Sequence, residues 1–259
     1  MPTMWRTPEA LVEIGFGHGR VVMMNEAHDG LTRCIRTREM GRRILPAAHR
    51  LGVRHLAMEA VHAPVAAEAN RTRTLPPAPT RYLAQPEMRA FIQAALDLGW
   101  TLVPYEAPLN QGPAGVSEAE FINWREEAQA ENLVAALAAL PQDAGLPVWC
   151  GNSHHVKRPD DGWFPMGYQF ARLSGVPHFA IDQLVTVAFP DRTPERPRLL
   201  DPYLPALDAH GGTVGVLVED VPIIGGKLAG VILGVEHLTA LPANTGVDAY
   251  ILSTQNAME

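Results

Sequence analysis

Cysteine is scarce in this 259-residue sequence, which contains two, Cys34 and Cys150. Two cysteines are too few for a disulfide framework, and they lack the spacing of metal ligands. Long apolar runs are missing as well, because no stretch approaches the roughly 20 apolar residues of a membrane span and the N-terminus has no run of signal-peptide length. We therefore expect a cytoplasmic protein with reduced, structural thiols and no membrane partner.

Basic residues are outnumbered, with 21 Lys and Arg against 28 Asp and Glu and a formal net charge of −7. Such a balance argues against general affinity for nucleic acid. The expected partner is a small-molecule substrate, and the oligomeric state is left open.

Two common catalytic and binding motifs are also absent. No serine lies in a Gly-x-Ser-x-Gly turn, which disfavours a covalent serine mechanism. The first apolar run is followed by Asn-Glu-Ala-His rather than a glycine-rich turn, and there is no P-loop. A nucleotide-binding fingerprint is therefore missing.

Apolar runs alternate with amphipathic segments along most of the chain. This alternation predicts βαβ units, and so an α/β fold with a mainly parallel central sheet flanked by helices, in a single domain over residues 1–259. Segment 61–85 contains four prolines and is expected to form a lid over the strand ends or to contain a short helix from Pro64 to Arg71.

Local signals predict the bounds of two helices. A short helix is expected from Thr7 to Ile14, followed by a turn at Gly15 to Gly19. Ser117 and Glu120 form a capping-box pattern that begins a long helix. Its apolar spacing predicts a buried side with Arg125, Gln129 and Asn132 on a neighbouring face. The predicted buried positions are Phe121, Trp124, Ala128, Leu133, Leu137 and Leu140.

Four predicted strands end in acidic residues or histidine. In a parallel sheet, ligands bind beyond the carboxyl ends of the strands, so these side chains are expected to share one active-site cleft. Clustered carboxylates repel each other unless cations neutralise them, and Arg33 and Arg36, in the first turn of the next predicted helix, are candidate cations. The strand-end candidates are Glu26, His28, Glu59, Glu106, His154 and His155.

Two chemical uses fit this set of residues. In the first, His28 is a general base that removes a proton from water while Glu26 or Glu59 orients its imidazole, and no cofactor is required. In the second, His28 and His154 bind a divalent metal together with Glu59 or Glu106, and the metal activates the water.

Five short motifs in order resemble the superfamily that contains erythromycin esterase, ChaN and Tiki/TraB proteins. Asn25 to Asp29 is similar to its Gly-Glu-x-His signature, with asparagine in place of the glycine, and Gly151 to His154 is similar to its Gly-x-x-His motif. The others are Ala57 to Ala60, Arg125 to Asn132 and Pro165 to Phe170, so the resemblance covers about Val21 to Gly175.

The resemblance implies a hydrolase of ester, lactone or amide bonds. By analogy with the esterases, His28 would activate water, Glu26 and Glu59 would position it, and His154 with Arg125 would bind the carbonyl or its oxyanion. Arg36, Glu106 and His155 are further candidates for substrate binding. Tiki proteins are metal-dependent peptidases and ChaN proteins bind haem, so a metal-dependent peptidase and a haem- or small-molecule-binding protein are the alternatives.

Overall fold

The computed structural model describes residues 5–27, 32–77, 80–108, 111–184, 204–209, 211–220, 223–224, 227–228 and 246–253. The α-helices in this part of the chain are α1 (Pro8–His18), α2 (Thr32–Arg50), α3 (Ala63–Thr72), α4 (Pro86–Asp97), α5 (Glu118–Ala139), α6 (Met166–Ser174) and α7 (Leu204–Ala209). The strands are β1 (Val21–Glu26), β2 (His55–Met58), β3 (Thr101–Pro104), β4 (Leu146–Gly151), β5 (His178–Asp182), β6 (Thr213–Leu217), β7 (Ile223–Ile224), β8 (Lys227–Leu228) and β9 (Ala249–Ser253).

Seven of these strands form one mixed sheet in the order β3-β2-β4-β1-β5-β9-β6. All neighbours in this sheet are parallel except β6, which runs antiparallel to β9. The predicted α/β class with a mainly parallel sheet is confirmed. β7 and β8 form a separate antiparallel pair.

Both faces of the sheet are covered, because alternate residues of a strand point to opposite sides. Val22 and Met24 of β1 belong to a core packed under helices α1, α2, α3 and α4. Val21 and Met23 belong to a second core, formed with α5 and α6. By the same alternation, polar residues at the ends of different strands can lie on opposite faces of the sheet.

Helix α1 is longer than the sequence predicted. The expected turn at Gly15 is wrong, because the helix continues to His18. Gly15 is buried in the helix, and a Cβ there would lie 2.9 Å from side-chain atoms of both Phe179 and Val22. Glycine therefore serves close packing of the helix on the sheet at this position.

Segment 61–85 contains α3, the short helix that was one of its two predicted forms. The amide of Asn70 donates to the carbonyl of Leu102 over 2.9 Å and accepts from the Leu102 N–H over 2.7 Å. These bonds satisfy the backbone N–H and carbonyl groups of Leu102 on the unpaired side of edge strand β3. Helix α3 thus packs along the edge strand, while Tyr82 and Gln85 at the end of the segment contact Arg38. The predicted lid over the strand ends stays a prediction.

Helix α5 begins with the predicted capping box, since Ser117 accepts from the Glu120 N–H and the Glu120 side chain accepts from the Ser117 N–H. Its buried side differs from the prediction, because Phe121 is exposed while Glu126 and Gln129 are buried. The predicted burial of Leu133 and Leu137 is confirmed. Gln129 was predicted on a neighbouring face, whereas here it is buried with Glu126 in the site described next. Among the described residues, no helix is long and apolar enough to cross a membrane.

Candidate active site

The carboxyl edge of the sheet brings together four of the predicted residues: Glu59, Glu106, Arg125 and His154. Glu59 directly follows β2, Glu106 lies two residues after β3, and His154 lies three residues after β4. Helix α5 supplies Arg125 from above this edge. His28 lies outside the described residues, so its predicted position in this group is not tested.

Arg125 is held by two carboxylates at once. Its Nη2 donates to Glu59 Oε1 over 2.6 Å and to Glu106 Oε2 over 2.9 Å, and its Nε donates to Glu106 Oε1 over 3.1 Å. Burial disfavours the charge, but the two carboxylates outweigh it and raise the pKa of Arg125 above its ordinary value. The guanidinium is therefore a permanent, fixed positive charge.

Glu106 makes further bonds that occupy its carboxylate. Oε1 accepts from Gln129 Nε2 over 2.8 Å and from the Ala107 N–H over 2.9 Å, while Oε2 accepts from the Ala60 N–H over 3.1 Å. Glu106 was predicted to bind substrate. Its geometry suits the fixing of Arg125, because the protein supplies all of these donors, and its role in substrate binding stays a prediction.

Glu59 links two strand ends to the same arginine. Its Oε2 accepts from the Gly151 N–H over 2.5 Å at the end of β4, and its Oε1 contacts Arg125. The same Oε1 lies 4.0 Å from His154 Nε2. Glu59 thus sets the distance between the arginine and the histidine.

His154 is paired with a carboxylate that the sequence analysis did not single out. Its Nδ1 lies 2.5 Å from Glu126 Oε1, and its side chain is 17% exposed. Glu126 is itself fixed by the Trp163 indole N–H over 3.0 Å and the Met166 N–H over 2.6 Å. A carboxylate on Nδ1 orients the ring and directs Nε2 toward Glu59, as in many catalytic histidines.

The electrostatics of His154 favour its charged form. Burial opposes the charge, but the hydrogen bond to Glu126 and the negative charges of Glu59 and Glu126 outweigh burial and the repulsion by Arg125. The pKa of His154 is consequently raised above its ordinary value. Arg125 and His154 both lie beside Glu59, and the surroundings of His154 favour its positively charged form.

Glu26 lies in a different group, on the opposite face of the sheet. Arg38 of α2 donates to it from Nη2 over 3.0 Å and from Nε over 3.1 Å, and the Trp149 indole N–H donates over 2.8 Å. Arg38 also donates to Gln85, and its guanidinium lies 5.2 Å from the centre of the Tyr82 ring. Glu26 has no exposed surface, so it can act on a substrate only through a neighbour.

Asn25, which replaces the glycine of the resembled signature, lies in β1 and joins it to β5. Its Nδ2 donates to Asp182 Oδ1 over 3.2 Å, and its Oδ1 accepts from the Gln183 N–H over 2.9 Å. The extended strand therefore accommodates asparagine without a glycine turn.

The remaining two candidates, Arg36 and His155, are both buried. His155 has no exposed surface, its ring nitrogens have no hydrogen-bond partner, and burial lowers its pKa to about 3. His154 faces the site, whereas its neighbour in the same turn after β4, His155, enters the interior. The roles of Arg36 and His155 in substrate binding stay predictions.

A divalent metal would need several carboxylate or imidazole ligands placed around one point. Among the described residues, no group of three or more His, Cys, Asp and Glu side chains is placed to hold one. The guanidinium of Arg125 occupies the position between Glu59 and Glu106 that a cation would take. These two carboxylates, as arranged here, do not fit the predicted metal site.

The fold and site define a class: a three-layer α/β protein with a charged histidine, arginine and glutamate group at the carboxyl edge of its sheet. A scan of protein-family models and a search of curated proteins gave no match.

Solved structures do match. A Bacillus cereus protein superposes with a TM-score of 0.57 at 10% identity, covering 98% of this chain and 94% of that one. A structure described as bacterial protein toxins gives 0.50 at 13% identity, covering 68% of this chain, which spans 36% of the toxin's length. ChaN of Campylobacter jejuni, solved with cofacial haem, gives 0.47 at 9% identity over 71% of this chain and 87% of that one. The first two likenesses show the fold alone.

Proposed function

We propose that this protein is a hydrolase that cleaves a carboxylic ester, lactone or amide bond with an activated water molecule. The observation that supports this most is the Glu126–His154 pair, whose free Nε2 lies 4.0 Å from the carboxylate that holds Arg125. Such a group can stabilise the negative charge that develops on a carbonyl oxygen.

The division of roles follows from charge. Arg125 and protonated His154 bind the carbonyl oxygen as it becomes an oxyanion, while Glu59 and Glu106 fix the guanidinium. His28, which follows Glu26 by two residues in the chain, is the proposed base that takes a proton from water. Glu26 is proposed to orient that base rather than the water.

The test uses a small panel of substrates with an aryl ester, a lactone and an aryl amide. We expect the wild-type protein to hydrolyse at least one class, and His28→Ala to lower kcat by about 10²–10⁴-fold, the usual contribution of a general base. His18→Ala is the matched control, because His18 is exposed at the end of α1, near the amino edge of the sheet. Absence of hydrolysis of every class, or unchanged activity of folded His28→Ala, would reject the proposal.

Haem binding is the alternative that the resemblance implied. A haem titration of the same variants separates the two functions. A Soret band that is lost in both His28→Ala and His154→Ala, without hydrolysis by the wild-type protein, would favour a ligand-binding role.

A further inference from the structure

The first turns of α5 carry an apolar side chain toward the site. The buried stripe of this helix runs from Leu137 through Leu133 to Glu126, and one further turn leads to Ile122. Ile122 occupies the centre of that stripe, yet it is 40% exposed. An apolar residue on the inward face of a helix is left uncovered where the helix extends beyond the sheet.

A second apolar element lies beside it, in the loop before α6. Asn123 holds this loop, donating from Nδ2 to the Gly162 carbonyl over 2.8 Å and accepting from the Phe164 N–H over 2.9 Å. Phe164 is 38% exposed. Trp163 donates to Glu126, and its ring centre lies 6.3 Å from that of His154. The loop therefore places the Trp163 ring next to the Glu126–His154 pair, and Phe164 follows it directly in the same loop.

We infer that Ile122, Trp163 and Phe164 form an apolar subsite for an alkyl or aryl group of the substrate; the inference rests on the proposed hydrolase function. Residues three and four apart on a helix lie about 5–6 Å apart at Cβ, so Ile122 is a direct neighbour of Arg125 and Glu126. A carbonyl group bound between Arg125 and His154 thus has its substituent close to this surface.

The chemistry of the subsite selects the class of substrate. It offers two aromatic rings and a branched aliphatic side chain, while the adjacent charges are already paired within the protein. Single exposed apolar residues need no explanation, but the exposed Ile122 and Phe164 together with the half-buried Trp163, beside a charged site, are typical of a ligand-binding surface. The structure therefore favours neutral esters or amides with a hydrophobic substituent over short, polar ones.

The first experiment compares para-nitrophenyl octanoate with para-nitrophenyl acetate. We expect the wild-type protein to show a higher kcat/KM for octanoate, and Ile122→Asn to reduce the octanoate-to-acetate ratio by roughly tenfold, as for loss of an apolar contact of a few methylenes. Ile122→Leu should retain the ratio. Leu51→Ser is the control, because Leu51 is equally uncovered but follows α2 at the amino edge of the sheet. A ratio that is flat in the wild-type protein or unchanged in Ile122→Asn would overturn the subsite.

A second experiment does not depend on hydrolysis. Titration calorimetry with methyl octyl ketone and methyl ethyl ketone measures binding of a neutral carbonyl compound with a long or short chain. Tighter binding of the octyl compound that is weakened by Ile122→Asn, in a protein that hydrolyses neither ester, would reject the hydrolase and retain the apolar subsite. Equal binding of both ketones would reject the subsite even if the protein hydrolyses esters.

Discussion

Two arginine–carboxylate groups lie at the carboxyl edge of the same sheet, one on each face, and they differ in their access to water. Arg38 and Glu26 are almost fully enclosed, at 1% and 0% side-chain exposure. Arg125 is 30% exposed, while its partners Glu59 and Glu106 are buried beneath it. The first group is sealed into the core, whereas the second presents a fixed cation to solvent.

The difference separates direct from indirect contact with a ligand. A sealed ion pair satisfies its own desolvated charges, so Glu26 can act only by orienting a neighbour such as the proposed base His28. An exposed guanidinium with buried anchors is pre-organised, so a substrate can use its charge without paying to orient it. The open group, with His154 beside it, is therefore the candidate site.

The largest expected effect comes from breaking the sealed group. Arg38→Met leaves Glu26 buried without its cation, which should lower the free energy of unfolding by about 3–5 kcal/mol. Urea denaturation measures this change. Arg43→Met is the control on the same helix, because the Arg43–Glu9 pair is exposed and such pairs contribute about 1 kcal/mol or less. Equal losses in the two variants would show that the Arg38–Glu26 pair is not special.

The open group is tested through the anchor of its histidine. Glu126→Gln keeps the shape of the side chain but removes the negative charge beside the His154 ring. We expect kcat/KM to fall by about 10–100-fold, corresponding to about 1.4–2.7 kcal/mol. The pKa of His154 should also fall toward its ordinary value. If the protonated ring stabilises the oxyanion, activity falls as the pH rises through the pKa of His154. This fall should begin at a lower pH in the variant than in the wild-type protein. A pH–rate profile measures this shift, and an unmoved profile would exclude Glu126 as a positioning residue.

The pKa shifts of the buried histidines His155 and His178 have the opposite sign to that of His154. Burial lowers the pKa of His155 to about 3 and that of His178 to about 4, against an ordinary value of 6.5. The unfolded chain therefore binds protons that the folded state excludes, and stability falls as the pH drops from 6.5 toward 4. Each histidine contributes up to about 1.4 kcal/mol per pH unit.

His154 has the opposite effect, because its pKa is raised in the folded protein. Its contribution is complete below the unfolded pKa and is lost as the pH rises through the folded one.

The variant His155→Leu tests the acid side. Because it removes a group whose pKa is lowered by folding, it should make the acid-side slope of the unfolding free energy shallower and leave the alkaline side unchanged. Unfolding measured across this window tests both limbs, and an unchanged acid-side slope would contradict the neutral, buried state of His155.

The sequence was most informative at the strand ends. Apolar runs that end in Glu59, Glu106 and His154 predicted side chains at one sheet edge, and these residues do lie within one hydrogen-bonded group. This works because the carboxyl ends of parallel strands meet at the same edge. The signal depends on local pattern and on a general rule of topology.

The sequence was less informative where a face of an element decides the outcome. Glu26 was grouped with Glu59, although alternation from Met24 and Ala57 already places the two carboxylates on opposite faces. In α5 the apolar spacing predicted the buried positions Leu133 and Leu137 correctly but missed Glu126, which is buried and holds His154. Buried polar residues at a site violate the amphipathic pattern, and their partners are distant in sequence.

Whether the open group performs chemistry is decided by His154→Ala. We expect kcat/KM for ester hydrolysis to fall by about 10²–10³-fold, while the free energy of unfolding changes by about 1–3 kcal/mol, the cost of one lost partner of Glu126. The matched control is His62→Ala, since His62 precedes α3 without a side-chain capping bond. Hydrolysis by His154→Ala at the wild-type rate, in protein shown to be folded, would contradict this role of the open group.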